Sequence, residues 1–370
     1  MATLSDLFPA LSLFTQLGRF APARPLRTLI RTTSYKLRPP QQRLFTPTVR
    51  RAQETVLQSG AAGEHQRATV LWERSRGRVP TIVLGGFVPD ATEQVFMLRG
   101  FLLKSGSVYY FNYPRHGFSN ELLFAQLDDL VEELAELHGQ KPVVFAVSFG
   151  GGLLMEWLKR AQRAGRKIDL NGSLIISPVA CVEDLLTPGE AKPSTLLGRA
   201  VKPYLNGHAS PSGVEKSRAI FSKMFESGAQ NKEALRAIMT RDELHRLREA
   251  VMGAIRDINF TGACERMQSL KQMEAPGAYF SPALLPLSEA PALILYAEKE
   301  SSVITENSPT RFAFETAHRA YFPRSTYRLI ANQHGSPVQH ASLIFHSSNF
   351  LPPISAFYKQ LKPRRALQSV

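Results

Sequence analysis

Cysteine is scarce in this sequence of 370 residues: only Cys181 and Cys264 occur. Two are too few for a disulfide framework, and neither has a CxxC partner. This fits a reducing compartment and argues against a structural zinc site. Long apolar runs are missing too; none reaches the roughly 18 uninterrupted residues that a membrane-spanning helix needs. The longest candidate, 143–158, is broken by Ser148 and three glycines and carries Glu156. There is no low-complexity tract and no repeat at a fixed period, which argues against solenoids and arrays. Acids are outnumbered, 31 against 45 Lys and Arg, for a net charge of +14.

That excess resembles a nucleic-acid signal until it is located. The first 60 residues hold Arg19, Arg24, Arg27, Arg31, Lys36, Arg38, Arg43, Arg50 and Arg51 against Asp6 and Glu54, half of the whole excess. The remaining body is mildly basic and carries no nucleic-acid motif, so no nucleic-acid partner is expected. Residues 1–60 therefore read as a separate basic arm. Leu4, Leu7, Phe8, Leu11, Leu13, Phe14 and Leu17 recur at roughly helical spacing ahead of the arginines. Three readings stand: a surface helix touching the body or an anionic membrane, an organelle transit peptide, or a loosely ordered arm. Asp6 and Pro9 favour the first and third together. The basic residues follow the apolar stretch, which is not a secretory order, so the expected location is cytoplasmic, with peripheral membrane contact through residues 1–50.

What the chain does have is an alternation of strand and helix signals from about residue 66. Residues 68–73, 81–84, 107–112, 143–147, 170–176, 292–296 and 326–330 read as strands. Helices are expected over 92–104, 121–138, 153–165 and 218–257. The alternation implies a mostly parallel sheet covered on both faces, with a core over 66–180 and 286–360. Residues 181–285 interrupt it with a helical, Pro- and Gly-punctuated excursion, read as an inserted cap. Its Phe221, Met224, Phe225, Ile238 and Met239 can line a pocket; the cap's own core is the expected use of most of them.

The segment Val143-Val144-Phe145-Ala146-Val147-Ser148-Phe149-Gly150-Gly151-Gly152 carries the chemistry. A buried strand runs into a serine flanked two residues away by Ala146 and Gly150, and an apolar helix follows at once. Such a sharp strand-to-helix turn exposes the hydroxyl and aims the Phe149 N–H at a developing oxyanion. A serine hydroxyl is a weak nucleophile and needs an adjacent base. A histidine suits that task near neutral pH, provided a carboxylate fixes its tautomer. The glycines do not form G-x-G-x-x-G and no Walker-type lysine follows, which argues against a nucleotide site.

Five segments in order make the chain resemble the α/β-hydrolase superfamily over residues 66–355. Leu84-Gly85-Gly86-Phe87 resembles its oxyanion loop, and Asn112 to Ser119 its D-x-x-G-H-G-x-S loop. Ala146 to Gly150 looks like its nucleophile elbow. Tyr296 to Val303 is similar to the acid loop, and Asn332-Gln333-His334-Gly335-Ser336 stands where the family keeps its base. The resemblance implies an eight-stranded, mostly parallel sheet with a helical cap after the sixth strand. It implies Ser148, Glu300 and His334 as catalytic residues, with the Phe87 and Phe149 amides as oxyanion donors. Glu298 and Asp184 are the alternatives for the acid. His116, His318, His340 and His346 are set aside, the last two as residues in or near a final helix. Departures are Gly85 for the usual histidine, Arg115 for a small residue, Ala146 for glycine and Glu300 for the commoner aspartate.

The expected activity is hydrolysis of an ester, thioester or amide of a largely apolar small molecule or lipid. Monoacylglycerol-lipase-like and carboxylesterase-like enzymes are the nearest expectation, with no cofactor and no metal. The alternative is a hydrolase-like scaffold that binds a ligand or membrane without turnover.

Overall fold

The computed structural model describes residues 42–205, 209–229, 239–332 and 336–361. The N-terminal segment before residue 42 lies outside them, and so do Ile238 and His334.

Eight strands form one sheet: β1 (Arg43–Leu44), β2 (Thr69–Arg78), β3 (Thr81–Leu84), β4 (Gly106–Asn112), β5 (Val143–Val147), β6 (Gly172–Ile176), β7 (Ala292–Ala297) and β8 (Ser325–Ile330). Their order is β1-β2-β4-β3-β5-β6-β7-β8. β1 and β2 pair antiparallel, as do β2 and β4; all later pairs are parallel. Among the described residues, the helices of eight residues or more are α1 (Arg51–Gln58), α2 (Asn120–His138), α3 (Phe149–Arg163), α4 (Leu196–Leu205), α5 (Pro211–Ala229), α6 (Arg241–Asp257), α7 (Phe260–Lys271), α8 (Pro309–Tyr321) and α9 (Ser347–Leu361).

The central strands are apolar on both faces because each face is covered. Val144 and Ala146 of β5 enter one core with Ile82, Leu84, Ile175, Ile294 and Tyr296. Val143, Phe145 and Val147 enter the opposite core with Val83, Leu174, Leu293 and Leu295. The two-residue alternation thus sorts one strand into two cores. Leu123, Leu127 and Leu130 of α2 cover the first face, and Phe350, Ile354 and Tyr358 of α9 the second.

Two expectations need correction. The arm does not extend to residue 60: Arg43–Leu44 pairs with β2, and Phe45 packs edge-on against Trp72 and Tyr109. The Asp129 carboxylate accepts from the Ala52 and Gln53 amides, and Glu133 from those of Thr48 and Val49. Acids of α2 therefore satisfy the free N–H groups at the start of α1. These long-range bonds leave no periodic mark in a basic local sequence. The helix expected over 92–104 breaks into short turns, Ala91–Gln94, Phe96–Leu98 and Arg99–Leu102. Complete burial of Val95 and Leu102 outweighs helical continuity there. Within 218–257 the described residues are helical up to Ala229 in α5 and again in α6, which starts at a Thr240–Glu243 capping box.

Candidate active site

β5 ends at Val147 and α3 begins at Phe149, so Ser148 alone makes the turn, with φ 52° and ψ −117°. That left-handed backbone costs of order 1–3 kcal/mol for a residue with a Cβ. Its surroundings tolerate no bulk: a Cβ on Gly150 would stand 2.4 Å from the Leu84 carbonyl oxygen, and one on Gly152 2.1 Å from that of Val179. Among the described residues, the other non-glycine residues with positive φ are Ser177 and Ala341. Ser177 bonds Glu300, and Ala341 follows His340. Backbone strain is gathered around one group of side chains.

That group is a hydrogen-bonded chain. Ser148 Oγ lies 3.0 Å from His340 Nε2, and His340 Nδ1 is hydrogen-bonded to Glu300 Oε2. Glu300 Oε1 accepts from Ser177 Oγ at 2.6 Å and from the Ala297 amide at 2.7 Å. Glu300 is 3% exposed and Ser148 7%. A buried carboxylate with two donors on one oxygen turns its other oxygen to the imidazole.

The structure thus places His340, which the sequence reading set aside, where His334 was expected. His340 precedes α9 rather than standing within it, since the helix starts at Ser347. The chain from 332 to 340 is led back toward the acid loop by Glu298, whose Oε1 accepts from the Asn332 and Val338 amides, both at 2.8 Å. These donors hold the Glu298 carboxyl below its usual range. Lys299 pairs with Gln339 in a parallel bridge, and its N–H donates to Val338. Glu298 braces the histidine loop instead of touching the imidazole. Asp184 is away from the hydrogen-bonded chain as well: it accepts from the Ala180, Cys181 and Thr310 amides and from the Ser308 and Thr310 hydroxyls. Asp184 ties the turn after β6 to the start of α8.

Phe87 and Phe149, expected as the oxyanion pair, stack ring on ring at 4.3 Å with 16° between planes. The loop carrying Phe87 is held at three successive residues. Tyr113 Oη donates to the Gly85 carbonyl at 3.0 Å, the Gly86 amide donates to Gln94 Oε1 at 3.4 Å, and Arg266 Nη1 donates to the Phe87 carbonyl at 2.7 Å. A Cβ on Gly86 would come within 3.8 Å of Ser148 Oγ, so the loop passes directly beside that oxygen. Gln94 also reaches the Ala341 carbonyl and so links this loop to the one bearing His340. Arg115 takes the place of a small residue because it anchors other parts: Nη1 donates to the Ala254 carbonyl, and Nη2 pairs with Asp90. His116 is exposed.

Ser148 and His340 open into a cavity of about 880 Å³, within the range of small-molecule sites. Phe221, Met224 and Phe225 of α5, with Val251 and Ile255 of α6, line it. Three of the five apolar residues singled out between β6 and β7 therefore face the cavity, and each of the three also packs against an apolar cluster, so cavity lining and core packing are both served. Phe225 also belongs, with Met239, to the small cluster beneath α6. Among the described residues no group of three His, Cys, Asp or Glu could hold a metal ion, and no helix is long and apolar enough to cross a membrane.

The sheet order, the elbow and the excursion after β6 define the α/β-hydrolase fold, and the chain has it. No family model and no curated protein sequence matches the chain. Solved structures do. A thermophilic esterase from Thermogutta terrifontis is 15% identical at a TM-score of 0.53, covering 87% of this chain and 100% of that one. The esterase RhEst1 from Rhodococcus sp. ECU1013 is 13% identical at a TM-score of 0.50, covering 80% and 96%. A membrane phospholipase A, described as a bacterial virulence factor, is 12% identical at a TM-score of 0.53, covering 98% and 99%.

Proposed function

We propose that the chain is a serine hydrolase that cleaves an ester, thioester or amide of a largely apolar substrate, esters first. The observation that carries this reading is the continuous hydrogen-bonded line from Ser148 Oγ through His340 to the buried Glu300. Its structural neighbours include esterases and a phospholipase, which is consistent with an ester bond.

In this reading His340 Nε2 takes the Ser148 proton as Oγ attacks the acyl carbon. Glu300 holds Nδ1–H and stabilises the imidazolium that results. The tetrahedral oxyanion is bound by the Phe87 and Phe149 amides, the second at the positive end of α3. Collapse passes the proton from His340 to the leaving group and leaves an acyl-enzyme on Ser148; water, activated by the same histidine, then releases the acid. Residues 181–285 serve as the cap, and the α5 and α6 side chains in the cavity receive the acyl chain.

Nitrophenyl esters of increasing chain length test the reading. Burying each further methylene in an apolar cavity contributes up to ~0.8 kcal/mol, so kcat/KM rises from acetate through medium chains. A strict preference for acetate contradicts the acyl-chain assignment, and no turnover of any chain length contradicts the hydrolase itself.

A further inference from the structure

Arg266 of α7 is 3% exposed, yet among the described residues no carboxylate lies within ion-pair distance of its guanidinium. Its bonds run instead to three main-chain carbonyls: Phe87 at 2.7 Å, Tyr113 at 3.2 Å and Pro114 at 2.9 Å. The guanidinium also lies over the Tyr113 ring, 5.7 Å from its centroid. Burial lowers its pKa to about 10, so it stays charged at neutral pH. Asp90 is the nearest favourable charge and acts from beyond ion-pair contact; a buried guanidinium without a direct carboxylate partner is costly, and docking a helix does not require one.

The neighbours of Arg266 on α7 show what docking alone uses. Gly262, Glu265, Arg266 and Ser269 follow helical spacing and form one stripe. At Gly262 the helix meets the Arg115 carbonyl, which a Cβ would approach to 2.3 Å. Glu265 accepts from the Phe118 amide, and Ser269 Oγ donates to Asn120 Oδ1. Glu265 also accepts from Gln66 Nε2 at 2.8 Å, and none of the three bonds the loop after β3. Of the four, Arg266 is the one that bonds the loop after β3, at the residue whose amide is the proposed oxyanion donor.

We propose that Arg266 is a positioning residue that couples the seating of the excursion helices to the oxyanion hole. By gripping the Phe87 carbonyl it fixes the rotation of that residue, and with Gln94 on Gly86 and Tyr113 on Gly85 it sets the direction of the Phe87 N–H. The proposal rests on the serine-hydrolase reading, because an oxyanion donor needs an oxyanion.

The test compares Arg266→Gln, Arg266→Lys and Ser269→Ala with the wild type. Steady-state ester hydrolysis is measured together with inhibition by an alkyl trifluoromethyl ketone, whose serine adduct carries an oxyanion. Removing a whole oxyanion donor costs about 10²–10³ in kcat; misdirecting one predicts a loss of about 10–100-fold in Arg266→Gln. Ketone affinity should fall by a similar factor while KM stays within about twofold. Arg266→Lys keeps the charge and one contact and recovers part of the loss. Ser269→Ala loses a docking bond and melts earlier but keeps kcat. A raised KM at unchanged kcat, unaltered ketone affinity, or an equal kcat loss in Ser269→Ala overturns the proposal. So does failure of both Arg266 variants to fold, which would assign the residue to stability alone. A wild type that neither hydrolyses esters nor binds the ketone refutes the hydrolase reading first, and the proposal falls with it.

Discussion

Replacing Glu300 by glutamine exchanges one oxygen for an NH2 group at almost constant size. The Ser177 hydroxyl and the Ala297 amide both donate to Glu300 Oε1, so the amide oxygen settles there and the NH2 faces His340 Nδ1. Nδ1 must then accept, the ring proton moves to Nε2, and Nε2 can no longer take the Ser148 proton. Forcing the wrong tautomer on a serine-protease histidine costs about 10⁴ in kcat. A fall of about 10³–10⁴ is expected here, or roughly 4–5.5 kcal/mol of barrier at ~1.36 kcal/mol per decade. The two bonds to Oε1 persist and the third is exchanged for a neutral one from the NH2 group to Nδ1, so the stability loss should stay near ~1 kcal/mol. Initial rates of nitrophenyl ester hydrolysis, corrected for folded protein by a thermal melt, measure both. A folded Glu300→Gln enzyme within tenfold of the wild-type kcat would refute the relay.

Asp184→Ala should behave in the opposite way. It strips the acceptor from five buried donors, so stability falls by ~3–5 kcal/mol, while the folded fraction keeps its kcat within a few-fold. Chemical denaturation with parallel rate assays separates the two effects. Glu93 sets a pH dependence of stability: burial, and then the neighbouring Asp90, raise its pKa from 4.5 to about 7. Between those values the folded state keeps a proton that the unfolded chain has released, so stability is highest below about 4.5 and declines as pH rises to 7. The decline is at most ~1.4 kcal/mol per pH unit, and Glu93→Gln should flatten it in urea titrations across that window.

Most of the fold could be read from the sequence because the sheet is buried on both faces. Seven of its eight strands stand out as short β-branched runs. β1 does not, since Arg43–Leu44 is too short to show a period. Ser148 was legible because a turn at positive φ requires small neighbours, and Ala146 and Gly150 display that requirement. Glu300 was legible from its place after β7. His340 was hidden because its position depends on a path through space. Glu298 turns the loop back by gripping Asn332 and Val338, six residues apart, and no local pattern marks such a clamp. The nearer, glycine-flanked His334 looked better on spacing alone. Arg266 was hidden for the same reason, since its partners lie more than 150 residues away.

The most direct test of the central claim is labelling by a fluorophosphonate probe, applied to the wild type and to Ser148→Ala, His340→Ala and His334→Ala. The relay predicts that the wild type and His334→Ala are labelled while Ser148→Ala and His340→Ala are not. Labelling of Ser148→Ala at the wild-type level would contradict it. So would loss of labelling in His334→Ala with retention in His340→Ala.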